Sequence, residues 1–178
     1  MHVVCELIVT FIEVSMTAGF VLYVLQDHLK TGRSNTMLGA AVIVSMISIL
    51  DTAFSNTISY LLPFDYTTLT GMVWLLIAYA AISYATEEPR DRVLFLLFLS
   101  MNVLLLSRST TLLIYHVISP ELLQGEYTWM DIAGYGIPNI FITSGCAYIT
   151  SRYYQKLRFI HTSSNHLYLV PLFFYFLA

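Results

Sequence analysis

Charge is scarce in this chain. Of its 178 residues, 11% are acidic or basic and 57% are hydrophobic, with a mean hydropathy of +0.72. Soluble domains carry about a quarter charged residues, so the composition excludes an ordinary water-soluble domain and makes lipid the expected solvent. Lys and Arg number only eight and the net charge is −3, which argues against a nucleic-acid partner. Cysteine is nearly absent. Cys5 and Cys146 are expected near opposite membrane faces, where they cannot form a disulfide, and both read as small apolar helix residues. There is no His-Glu-x-x-His, no Cys-x-x-Cys and no glycine-rich phosphate loop, so no metal, cofactor or catalytic residue is expected. No internal repeat of the kind found in many transporters is visible. Residues 1–14 lack a basic stretch and carry Glu6 and Glu13, so they read as a retained signal-anchor helix rather than a cleaved leader.

What the chain does have is long apolar runs. An apolar segment of about 20 residues crosses a bilayer core, and such segments fall at about 3–25, 37–62, 69–85, 93–118 and 130–151. Helix is the state expected of them, because backbone amides in hydrocarbon must be satisfied within the segment and the alternation of a barrel strand is missing. A sixth stretch, 167–178, would reach only about 18 Å as helix, too short for a ~30 Å core. The expectation is an all-α integral membrane protein, one polytopic bundle over 1–178 with five full transmembrane helices and a partial sixth, cut from something longer. Seven of the eight basic residues sit in three loops: Lys30 and Arg33, Arg90 and Arg92, and Arg152, Lys156 and Arg158. Basic loops stay cytoplasmic, which puts the N-terminus outside and the chain in a cell membrane, expected to be a bacterial plasma membrane. Tyr60, Phe64, Tyr66, Tyr127 and Trp129 would then belt the outer boundary, and Tyr153 and Tyr154 the inner one.

The eighth basic residue, Arg108, lies inside an apolar run, as do Glu13 and Asp51. A single charge at bilayer centre costs on the order of 3 kcal/mol on insertion scales, and a pair inside the bundle removes most of that. Arg108 is therefore expected to face inward and bond Asp51 or Glu13. Ser45, Ser48, Thr52, Ser55 and Ser59 recur at three- and four-residue spacing on the second segment, as Arg108, Thr111 and Tyr115 do on the fourth, with His116 near its end. The expected polar core is Glu13, Asp51, Arg108, Ser55 and Thr111. It reads equally as an outward-opening cavity that binds a ligand or a proton and as a buried ion pair that joins helices. Ser15 and Gly19 form a small-xxx-small pair suited to close helix contact. Gly134, Gly136 and Pro138 weaken helical bonding in the fifth segment and mark a hinge candidate. Glu87, Glu88 and Arg92 match the Glu-Glu-x-x-x-Arg string of intramembrane abortive-infection-type proteases. Here the string straddles Pro89 in a loop, and no Phe-x-x-x-His partner exists. These charges are expected to be solvated.

In letters, the opening stretch 6–29 with its 26–30 exit, and the basic turn 152–158 followed by 169–176, resemble the membrane sensor of peptide-sensing histidine kinases of the accessory-gene-regulator type, whose kinase belongs to the GHKL family. That resemblance implies a receptor in a two-component, quorum-sensing system. Its six or seven spans precede a cytoplasmic dimerisation helix and an ATP-binding domain, neither of which this sequence contains. It also implies a homodimer and an extracellular ligand such as a small peptide, with Tyr66, Tyr115, His116, Glu121, Glu126 and Trp129 as candidate contacts. No catalytic residue carries over, because His161 and His166 lie in a loop between spans. The leading rival is a small-solute transport subunit, such as the substrate-binding component of an energy-coupling-factor importer. It would need a complete sixth helix and an Ala-rich first helix, and segment one has only Ala18. A structural or assembly membrane protein is the third reading. Arg108→Ala is expected to separate them, by loss of signal, of uptake or of folding alone.

Overall fold

The structure is a computed structural model that describes residues 2–30, 32–58, 67–118 and 132–154. Those residues form five α-helices: α1 His2–Val24, α2 Arg33–Ile58, α3 Thr67–Ala85, α4 Arg90–Ile118 and α5 Ile137–Tyr154. A 3₁₀ turn, Gln26–His28, follows α1, and a π-helical turn, Ile132–Gly136, leads into α5. The helices occupy the stretches read from hydropathy as the five full spans, and the sixth stretch lies outside the described residues. Among the described residues three segments are long and apolar enough to cross a bilayer: Val3–Val24, Ser34–Phe54 and Arg90–Ile114. Val73–Ala85 is apolar but shorter.

α1 is the hub, packed against α2, α4 and α5, while α3 rests on α4 and touches α2 only lightly. The tight core lies at one end, where Phe20, Val21 and Leu25 meet Ile82 of α3, Val93, Leu96 and Leu97 of α4 and Ala147 of α5. The outer faces are apolar as well: Leu38 is 71% exposed and Phe141 74%. Helices apolar on all sides suit a lipid surround, where exposing Leu and Phe carries no penalty.

The end that holds the core also carries Lys30, Arg90, Arg92 and Arg152, and will be called the basic end. Here the 25–30 connection is stitched to the residues after α3. The Lys30 N–H donates to Ala85 O at 2.9 Å and the Glu87 N–H to His28 O at 2.9 Å, so Leu29 and Thr86 form an isolated antiparallel bridge. Pro89 then starts α4: its carbonyl accepts from the N–H groups of Arg92 and Val93, and its missing N–H lies where a helix needs none.

The three residues read as a hinge sit together at the junction of the π turn with α5. Gly134 and Gly136 lie in the turn, and Pro138 is the second residue of α5. Gly136 is buried, and a Cβ there would stand 3.1 Å from Ile12 Cδ1 of α1. A π turn widens the helix by one residue and leaves it easy to re-register. By contrast, Gly19 is exposed with nothing within 4 Å of a Cβ built on it. The expected small-residue contact of Ser15 and Gly19 is therefore not what joins α1 to its neighbours. Cys5 and Cys146 are both free thiols.

Candidate functional site

The first four helices line a cavity of about 510 Å³ that is open on one side. Its walls are Val14, Ala18 and Leu22 of α1, Ile43, Val44 and Ile47 of α2, Leu75, Ala78 and Ile82 of α3, and Leu97, Met101 and Leu104 of α4. The polar groups concentrate toward its two ends. At one end, away from the basic end, Glu13, Asp51 and Trp74 reach it; at the other, near the basic end, Asn35, Thr36 and Tyr84 do. Ligand pockets commonly have this size and this mixture of apolar walls with a few placed polar groups.

Asp51 is half-buried and accepts a hydrogen bond of 2.8 Å from the Trp74 indole N–H. Trp74 is a residue the sequence reading passed over, although only two tryptophans occur in the chain. On α1, Thr17 donates back to the Glu13 carbonyl at 3.1 Å. Glu13 and Asp51 thus line one cavity. Arg108 does not join them. It is exposed and is not part of the cavity wall, so the inward ion pair expected with Asp51 or Glu13 is not the contact this fold makes. The reason is helical phase. The buried stripe of outer α4 is Ser107 and Thr111, four residues apart, and Arg108 is turned about 100° from Ser107.

Thr111, read with Arg108 as polar core, is 2% exposed and donates to Ser107 O at 2.9 Å. Ser48 likewise donates to Val44 O at 2.8 Å and Ser45 to Ala41 O at 2.8 Å. These hydroxyls satisfy carbonyls of their own helices, which is how small polar side chains are made compatible with an apolar interior. On α5, Asn139 is wholly buried and its Oδ1 accepts from Thr143 at 3.4 Å. The side chains of Ser55, Tyr115 and His116 lie outside the described residues, as do Tyr66, Glu121, Glu126 and Trp129.

The largest departure from expectation is at the basic end. Glu88, read as a solvated loop residue, is only 9% exposed. Its carboxylate pairs with the Arg92 guanidinium and, at 3.3 Å, with His28 Nδ1 from the first connection. Tyr154 closes the cluster, edge-on to His28 at 6.5 Å between ring centroids. Burial first, and the Glu88 carboxylate second, push its phenol up to about 12. Tyr154 thus packs against this cluster at the basic end. The i,i+4 spacing of Glu88 and Arg92 at a helix start is the one local signal of this pair. Among the described residues no three His, Cys, Asp or Glu side chains gather as a metal site.

Comparison with family models, with curated proteins and with solved structures gives no match.

Proposed function

We propose that this chain is the ligand-binding part of a multi-pass receptor in a bacterial plasma membrane, with five full spans, a partial sixth and the N-terminus outside. On that reading it serves as the sensor of a peptide-sensing histidine kinase, and it works as a homodimer. The ligand is small, has an apolar body and carries a cationic or hydrogen-bond-donating group. The observation that carries this reading is Asp51, a carboxylate in the wall of an apolar cavity that Glu13 also lines, met by the neutral indole of Trp74. A carboxylate held away from water without a cation is expensive. A ligand that brings an ammonium group removes that cost, and the apolar walls bind the rest of it.

The mechanism follows from which contacts are loose. α2 and α3 touch lightly, so a ligand between them wedges the two apart. Their basic ends are joined through the Leu29–Thr86 bridge, which carries the displacement to the cytoplasmic side. The π turn at Gly134 and Gly136, with Pro138 after it, lets α5 re-register against α1 as this happens. Binding thereby biases a two-state bundle.

The test uses dodecylammonium as probe and the full chain in lipid nanodiscs, read by tryptophan fluorescence. The expected result is saturable binding, with dodecanol and dodecanoate at least about tenfold weaker, and a similar loss in Asp51→Asn. Equal binding of all three probes, or binding indifferent to Asp51→Asn, overturns the reading. The same cavity also fits a small-solute transport subunit. Uptake of the probe into sealed vesicles, abolished by Asp51→Asn, would select that alternative.

A further inference from the structure

A second pocket, of about 290 Å³, lies at the basic end between the close of α1 and the close of α5. It differs in kind from the cavity above, being lined mostly by polar side chains, with Val24 the one aliphatic among them. Asp27 enters from the 3₁₀ turn after α1, and Ser151, Arg152 and Tyr154 from the last turn of α5, with Tyr23 and Tyr148 between them. We infer that this pocket binds the headgroup of a zwitterionic aminophospholipid, phosphatidylethanolamine, at the membrane boundary. The inference rests on the membrane reading of the chain, not on its being a receptor.

The charges decide the class. Arg152 is exposed, and its guanidinium donates to the neutral Tyr148 hydroxyl, from Nε at 3.2 Å and Nη2 at 2.9 Å, while stacking 5.3 Å from that ring's centre. Among the described residues no carboxylate pairs with it. Asp27 is exposed as well, and among the described residues no cation pairs with it. Among its described residues the pocket thus offers one cation from α5 and one carboxylate from the turn after α1, neither in an ion pair. Of the other charged groups nearby, Glu88, Arg92 and His28 are engaged with one another, and Lys30 and Glu87 are not part of the pocket wall. A phosphate suits Arg152, whose remaining N–H groups form charge-assisted bonds with phosphate oxygens. A primary ammonium suits Asp27 and the aromatic faces of Tyr23 and Tyr148. A purely anionic headgroup would satisfy Arg152 and confront Asp27. A choline headgroup would bring the charge but no N–H for Asp27 to accept.

The adjoining surface fits an acyl chain. Phe141, Gly145 and Tyr148 recur at four- and three-residue spacing on one exposed face of α5, and no atom lies within 4 Å of a Cβ built on Gly145. That face forms a shallow apolar track leading away from the pocket.

The experiment is native mass spectrometry of the full chain, delipidated in detergent and offered phosphatidylethanolamine, phosphatidylcholine and phosphatidylglycerol with matched acyl chains. Phosphatidylethanolamine adducts are expected to exceed each of the others about fivefold, the discrimination of one partly exposed charged contact. Asp27→Asn is expected to erase the advantage over phosphatidylcholine, and Arg152→Gln to weaken all three lipids. Both residues are exposed, so the variants retain the fold, and the lipid comparison in the unaltered chain needs no variant. Equal adducts, a preference for phosphatidylglycerol, or a phosphatidylethanolamine preference that survives Asp27→Asn overturns the inference. So does displacement by soluble glycerophosphoethanolamine at the same concentration, which would make the ligand a free phosphoamine. If dodecylammonium fails to bind at Asp51 while this preference holds, only the receptor reading falls.

Discussion

Glu88 and Asp51 are carboxylates that folding removes from most of their water, and their surroundings differ. Glu88, at the basic end, lies between Arg92 and His28 in a part of the molecule where α1, α3, α4 and α5 come together through core, bridge and ion pairs. Asp51, in the half of α2 away from that end, has a neutral indole as its partner and open volume beside it. A closed set of opposite charges holds structure together, whereas a carboxylate left facing an apolar cavity is available to something else. The basic end fixes the helices, and on the proposed reading the cavity among α1–α4 is where the ligand binds.

Glu88→Ala should have the largest effect, because it leaves Arg92 and His28 facing each other without their common acid. Removing one partner of a fully buried pair costs roughly 3–5 kcal/mol. His28 and Arg92 keep some exposure, so about 2 kcal/mol is expected, read as a lowered melting temperature in detergent. Asp51→Asn should lower stability by less than about 1 kcal/mol, since an amide oxygen still accepts from Trp74. If Asp51→Asn melts the protein as far as Glu88→Ala does, Asp51 is structural and the contrast between the two acids fails.

Tyr154 sharpens the same contrast through pH. Its phenol is raised from 10.0 to about 12, so the folded chain holds that proton more tightly than the unfolded one. The resulting stability is whole below pH 10 and is lost as pH rises from 10 toward 12. Tyr154→Phe should flatten that limb of the melting-temperature profile and leave the neutral range nearly unchanged. A limb that persists in the Phe variant would place the titrating group elsewhere.

How much of this was legible in the sequence depends on the range of the cause. The five helical stretches were readable because hydropathy is a local sum, and the π turn fell where Gly134, Gly136 and Pro138 had marked weak helical bonding. Facing was not readable. A helix turns about 100° per residue, so choosing between Ser107 and Arg108 as the inward residue requires knowing where α5 and α1 lie. Glu88 was misread for a related reason: half of its partnership, His28, comes from a connection far away in sequence. Trp74 escaped notice because an aromatic in an apolar helix carries no mark of the acid it will meet.

Arg108 therefore supplies the smallest expected effect and the sharpest check on the cavity. It stands about 27 Å along α4 from Arg90, at 1.5 Å per residue, which on the proposed orientation is the outer third of the bilayer. From there a long side chain on an exposed face carries its guanidinium to the headgroup layer while its stem stays in lipid. Arg108→Gln keeps a polar end on a shorter stem. It should change the melting temperature by no more than a surface substitution does, within about 0.5 kcal/mol, and leave dodecylammonium binding as it was. A loss of probe binding as large as that of Asp51→Asn would mean that this cation reaches the cavity, and that Asp51 has a charged partner after all. The case for a ligand-supplied ammonium group would then lose its premise, because the carboxylate would already be neutralised from within the bundle.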